Sequence, residues 1–332
     1  MNKRALFRTI FAAAAALTLN SCADRYGYVQ INGYAQGGTY SVKADLGGTG
    51  MTPEYVKERI DSILTAIDNS VSGYNKSSLL SRFNAGENVV KDGIFGELCT
   101  LGDKYYNITD GAVNVWAAPL FDVWGFGFTR DSLPSPELIA SAKALCDSRT
   151  KVNFNAIAQG YSSDLVAEYL RSIGVKNMLV DVGGEMYGQG LNPGGKNWTI
   201  GIDSPVDGNF DPGAAIQCTC QLPETPCGIV TSGNYRKFYV RDGRKYAHTI
   251  DPRTGLPVTH SLLSATVISS DPSSDRNATD ADAFATFCMV VGLEKAQEFI
   301  LARPHLEAIL IYDMDNQMRT WKSWERAVNP AL

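Results

Sequence analysis

The chain has 332 residues, 44% of them hydrophobic and 20% charged, an ordinary balance for a globular protein with room for one large domain or two intimate subdomains. Its 35 acids and 30 bases are spread along the sequence for a net charge of -5. No basic stripe exists of the kind that grips a polyphosphate backbone, so nucleic acid is not an expected partner.

The first segment, MNKRALFRTIFAAAAALTLNSC, sets Lys3, Arg4 and Arg8 ahead of an apolar run from Thr9 to Leu19, the pattern of an export signal. That run is too short to span a bilayer, which takes a helix of about 20 residues. Its ending, LNSC, resembles a bacterial lipobox, in which Cys22 would be acylated as the first mature residue; cleavage near Ser21 to give a secreted protein is the alternative. Either way the protein is expected outside the cytoplasm, with 1–21 as signal, 22–30 as tether and 31–332 as the folded part.

After the tether, YVQINGYAQGGTYSVKADL alternates like a hairpin. Thr52 and Pro53 form a helix start, and Val56, Ile60, Ile63, Leu64 and Ile67 supply one apolar face for packing. Further helices are predicted over about Phe95 to Asn107, over Pro136 to Cys146, and after NFNAIAQGYSSD as far as a stop at Gly174. Short strands follow around NMLVDVGGEMYGQG and NWTIGID, split by the Gly183-Gly184 turn. Its glycines lack the spacing and the following helix of a dinucleotide fingerprint and read as turn formers. A hairpin turning at Asp242-Gly243, a strand at SATVIS, helices over Asp280 to Gly292 and Leu293 to Ala302, and a closing strand at EAILIYD complete the chain. Helices and hairpins interleave without βαβ alternation, so the expected class is α+β with largely antiparallel sheets and packed helices.

Besides Cys22 there are six cysteines, and CTCQLPETPC has no His or fourth Cys nearby to complete a zinc site. Buried thiols or a local Cys220–Cys227 disulfide are expected. The histidines are His248, His260 and His305.

DADAFAT, residues 280–286, carries acids where a helix begins. With Thr279 or Asp280 as cap, Asp282 falls in the first turn, where the helix dipole favours negative charge. Capping alone accounts for acids there. Asp282 and Thr286, four apart, share a face, and a carboxylate with a hydroxyl at that spacing suits a hard cation such as Mg2+.

TSGNYRKFY, HTIDPRTGLPV and DADAFAT, together with SLLSRFN, PLFDVWGFG, NFNAIAQGYSSD and LVDVGGEMYGQG, resemble in order and spacing the ApbE family, the bacterial FAD:protein FMN transferases. The resemblance runs from about Tyr34 to the end and implies a single T-fold-like domain. It also implies that FAD and Mg2+ bind, and that FMN passes to a Thr or Ser hydroxyl of a target protein as a phosphoester, with AMP released. The metal ligands then fall on Asp282, Thr286 and the backbone carbonyl of Ala156, and the FAD contacts on Gly37, Tyr74, Ala112, Val113, Asn114, Asn153, Gln159 and Ile250. A metal that neutralises the diphosphate suits such chemistry, and His248 is the candidate general base, with Asp282 as a second candidate. A hairpin histidine bonded for structure alone fits His248 equally well, while His260 and His305 are expected at the surface. Relatives usually carry Met at Gly37, commonly Asp at Asn114 and Asn153, and often Lys or Glu at Gln159; the last three changes remove charge but keep hydrogen-bonding side chains. The implied acceptors are extracytoplasmic proteins such as subunits of membrane electron-transport complexes. Two other functions share this site, an FAD diphosphatase giving FMN and AMP and a non-catalytic FAD-binding lipoprotein.

Overall fold

The computed structural model describes residues 27–125, 134–206, 213–233, 238–241, 244–247 and 249–325. The signal segment, Cys22, Phe126, Phe128, the Asp242-Gly243 turn and His248 therefore lie outside the described residues.

Eight strands form one antiparallel sheet: β1 (Tyr28–Ala35), β2 (Gly38–Asp45), β3 (Met178–Val182), β4 (Glu185–Gln189), β7 (Cys227–Gly233), β12 (Leu262–Ser269), β13 (Leu306–Met314) and β14 (Gln317–Lys322), in that spatial order. Three antiparallel pairs accompany it: β5 (Thr199–Asp203) on β6 (Ile216–Gln221), β8 (Phe238–Arg241) on β9 (Arg244–Ala247), and the two-residue β10 (Ile250–Asp251) on β11 (Leu256–Pro257). The helices are α1 (Pro53–Val71), α2 (Leu79–Asn84), α3 (Gly93–Ile108), α4 (Ala118–Val123), α5 (Pro136–Asp147), α6 (Ala158–Ser172), α7 (Asn277–Val291) and α8 (Leu293–Leu301), with a 3-10 turn at Val115–Ala117. The class is α+β, as the sequence predicts.

Both faces of the central strands are covered. On β12 and β13, Ala265, Val267, Ala308 and Leu310 join the main core with the apolar faces of α1, α3, α6 and α7. Their neighbours Ile268, Ile309 and Ile311 point to the other face, into a smaller core with Trp198, Ile200, Ile202 and Leu222. That two-sided burial explains why β12 is buried at seven of its eight positions.

Half of the α-helix starts obey local chemistry. Thr52 accepts the Tyr55 N–H at 3.2 Å, Ser78 that of Ser81 at 2.9 Å, and Asp92 that of Phe95 at 2.8 Å. The residues at the caps of α6 and α7, Ile157 and Arg276, provide no such bond. The predicted start of α7 is corrected accordingly: it begins at Asn277, three residues before Asp280, so Asp280 lies in the first turn and Asp282 in the second. The local pattern misplaces it because the cap is supplied by α6, as the site geometry shows.

Other expectations divide. α6 ends as predicted near Gly174, which adopts φ +93°. The strands β6 and β14 and the short helices α2 and α4 escape the sequence reading, being too short or too exposed for a clear period. Cys220 and Cys227 are both buried free thiols rather than a disulfide, packed among isoleucines of the smaller core. His305 is exposed, but His260 is half-buried, its Nε2 2.8 Å from the Met289 carbonyl oxygen, because it covers the α7–α8 junction at Gly292.

Two glycines let α7 sit deep. A Cβ on Gly160 of α6 would overlap the Ala278 carbonyl, and one on Gly228 of β7 would overlap the backbone of Asn277 and Ala278. Gly228→Ala should therefore lose about 1–3 kcal/mol of stability in urea unfolding, because backbone rather than a flexible side chain must yield.

Candidate active site

The site grows from the antiparallel crossing of α6 and α7. The carboxylate of Asp282, only 3% exposed, accepts the Gly160 N–H at 3.1 Å through Oδ2. Gly160 is the third residue of α6, the position whose N–H a capping side chain serves, so Asp282 caps α6 from α7. Reciprocally, Asp164 of α6 accepts the N–H groups of Ala278 at 3.0 Å and Thr279 at 2.8 Å, and the Thr279 hydroxyl at 2.6 Å. These are the second and third residues of α7.

Three buried acids thus surround the start of α7, and counting donors separates them. Asp280 receives the Lys104 ammonium at 2.8 Å, the Tyr105 hydroxyl at 2.7 Å and the Ser274 hydroxyl at 2.6 Å. Asp164 has its three donors. Asp282 has one, leaves Oδ1 without a partner, and forms no ion pair among the described residues. Burial therefore raises its pKa, opposed by the Gly160 bond and reinforced by the nearby charge of Asp164.

As the third residue of α6, Gly160 has an N–H with no acceptor inside the helix, and Ala156, one residue before the cap Ile157, lies outside the helical ladder. The Gly160 N–H goes to Asp282, and among the described residues no backbone N–H donates to the Ala156 oxygen. Thr286, one turn beyond Asp282, is the one residue from Asn277 to Val290 that is not fully buried, and its hydroxyl has no hydrogen-bond partner among the described residues. One carboxylate oxygen, one carbonyl and one hydroxyl thus stand without a hydrogen-bond partner among the described residues. This is an all-oxygen donor set suited to a hard divalent cation, and Mg2+ fits it.

The other sequence-predicted residues lie on several segments of the chain. Asn153 and Asn114 lie on neighbouring segments, joined by the 2.7 Å bond from the Asn153 N–H to the Val115 carbonyl. Asn114 Oδ1 accepts the Trp116 N–H at 2.9 Å and Asn153 Oδ1 the Asn155 N–H at 2.8 Å. Both are local turn bonds that Asp would make equally, which explains why Asn is tolerated. Ala112 and Val113 are buried, with the Val113 N–H on Thr109 Oγ1 at 3.0 Å. Gln159, second residue of α6, lays its amide over Gly183, where any Cβ would overlap it. Ile250 is buried on β10, which packs on α7. The turn after it is stiffened by the Asp251–Arg253 ion pair at 2.7 Å and by the Trp124 Nε1–H to Gly255 carbonyl bond at 2.8 Å.

Gly37 sits in the left-handed turn between β1 and β2, at φ +78°, with open space where a side chain would project. Its neighbour Gln36 ties that turn to α6 by donating to Ser162 Oγ at 2.6 Å. Tyr74 stands 61% exposed in the loop after α1. His248 lies outside the described residues, so its place relative to Asp282 is not given. The sequence reading missed Gly160 and Asp164. An acid amid the small residues of a helix, with no local cap on the next site helix, is the signal that would have found Asp164.

The ApbE family model matches residues 36–310. The chain is 32% identical over 344 residues to the FAD:protein FMN transferase of Haemophilus influenzae, covering 96% of each chain. It is 32% identical over 293 residues to that of Escherichia coli K12, covering 81% of this chain and 80% of the relative. Among solved structures it superposes on the apo form of Pseudomonas stutzeri flavinyl transferase ApbE with a TM-score of 0.77 at 30% identity, covering 90% and 95% of the two chains. For the flavin transferase ApbE of Vibrio cholerae the TM-score is 0.74 at 28% identity, covering 92% and 100%. Fold, site and relatives together define an enzyme of the transferase class. The chain belongs to the ApbE family.

A buried carboxylate without a counter-charge costs stability when no cation is present. Asp282→Asn keeps the oxygen that accepts from Gly160 and should stabilise the metal-free protein by about 1–2 kcal/mol at pH 8. The sign follows from the raised pKa of Asp282 in the fold: below the carboxylate pKa of about 4 of the unfolded chain both states are protonated and the gain vanishes, and it is complete above the raised folded value. Thermal unfolding of both proteins in chelator across pH 4–8 checks this.

Proposed function

We propose that this transferase moves FMN from FAD onto a Thr or Ser hydroxyl of an extracytoplasmic protein, releasing AMP, with Mg2+ held by Asp282, Thr286 and the carbonyl of Ala156. The observation that carries the reading is the buried Asp282 carboxylate, which accepts a single bond from the Gly160 N–H and keeps one oxygen free, with the Thr286 hydroxyl one turn further on. The names of the relatives, FAD:protein FMN transferase, support the same reaction.

A divalent ion bound there would neutralise the diphosphate oxygens and the charge that develops on the leaving AMP. The protein's own part is to place the reactants. Ala112, Val113, Asn114, Asn153, Gln159 and Ile250 bind the dinucleotide, with Gly37 and Tyr74 at its margin. The open space at Gly37 widens that margin where relatives usually carry Met. His248 accepts the proton from the attacking hydroxyl, since a neutral imidazole is available near pH 7. The acceptor presents an extended segment, because one hydroxyl must reach the diphosphate. The export signal and Cys22 anchor the enzyme to a bacterial membrane, facing the periplasm or cell exterior, near acceptors such as flavin-carrying subunits of electron-transport complexes.

The test is incubation of the purified protein with FAD, Mg2+ and a Thr-containing acceptor. Flavin fluorescence that stays on the acceptor after denaturation, with stoichiometric AMP, is the expected result. Free FMN without labelled acceptor would mean that water is the true nucleophile, and unchanged FAD would leave only a binding protein. Asp282→Ala should abolish AMP release, and His248→Ala should lower kcat by about a hundredfold with little change in FAD affinity.

A further inference from the structure

Asp164 is wholly buried, touches none of the predicted FAD or metal ligands through a hydrogen bond, and has no part in the reaction described above. We propose that Asp164 is a positioning residue for the cation site, fixing through α7 the height at which Asp282 offers its spare oxygen beside the carbonyl of Ala156. The inference rests on the reading of Asp282, Thr286 and Ala156 as cation ligands.

The geometry is that of two rungs between antiparallel helices. Gly160 and Asp164 are one turn apart on α6, as are Ala278 and Asp282 on α7. One rung joins Gly160 to Asp282, and the other joins Asp164 to Ala278 and Thr279. At this crossing Gly160 and Gly228 present no side chain to interlock with α7, which leaves the hydrogen bonds a larger part in setting its register there. Nothing local can replace Asp164. The cap position of α7 is Arg276, whose guanidinium is held by Glu97 at 2.8 Å and Glu168 at 2.8 Å. A shift of α7 along its axis would stretch the remaining rung and turn the spare oxygen of Asp282 away from its place. One distant change would then weaken the charged ligand of the cation.

Asp164→Asn is the direct test, since its amide cannot accept all three donors. The readout is Mn2+ binding to the purified, FAD-free protein, followed by electron paramagnetic resonance; Mn2+ shares the oxygen preference of Mg2+. Wild type should bind one ion at this site and Asp282→Ala should lose it. Asp164→Asn should bind it about tenfold more weakly, the size usual for a residue that orients a metal ligand. In turnover the same variant should need about tenfold more metal for half-maximal rate, yet recover kcat near the wild-type value when metal is saturating. A residue that only stabilises the fold would not produce that split. If Asp164→Asn does not fold, Thr279→Val removes a single donor and should weaken Mn2+ by about threefold. Wild-type protein that binds no Mn2+ would overturn the cation site itself. Binding that Asp282→Ala abolishes, but that a folded Asp164→Asn or Thr279→Val leaves at full strength, would overturn the positioning role alone.

Discussion

The site depends on one hydrogen bond, from the Gly160 N–H to Asp282. It does two things at once. It caps α6, and it fixes one oxygen of the buried carboxylate so that the other has a single direction. Donor counting shows which of the three buried acids has an oxygen to spare. Asp280 and Asp164 are each satisfied three times, whereas Asp282 is satisfied once. An acid left so short of partners in a protein interior is costly, and such an arrangement persists where a function needs it.

The surrounding fold explains how the bond is reached. The sheet supplies a rigid floor, β7 and β12, on which α7 lies. Gly228 on that floor and Gly160 on α6 remove the side chains that would hold α7 away. Hairpin turns pack on α6: Gln36 is tethered to Ser162, and the Gly183-Gly184 turn lies under Gln159. Each contact is local in space, but the groups come from distant parts of the chain.

That distance decides what could be read from the sequence. Elements capped by their own neighbours were legible, as α1 shows with Thr52 and Pro53, and so was the stop of α6 near Gly174. α7 was legible as a helix but not in its start, because its cap is 114 positions away at Asp164 and leaves no trace in the local pattern. That Asp282 and Thr286 lie one turn apart could be read from spacing, since residues four apart on a helix share a face. The contact of Asp282 with Gly160 could not, because it spans 122 positions. The asparagines at 114 and 153 looked like a loss of charge in the sequence and prove to serve as turn formers.

The order of strands in the sheet bears on how the molecule assembles. β2 pairs with β3, and the helices α1 to α6 all lie between them in the chain; the Asp45 N–H meets the Asn177 carbonyl across that whole insertion. On a ribosome the first hairpin must wait for more than half of the polypeptide before its open edge is covered, and α7 emerges later still. High contact order of this kind slows folding and leaves strand edges exposed meanwhile. Catalytic competence is therefore the last property the nascent chain acquires, and no truncated product lacking the C-terminal third can possess it.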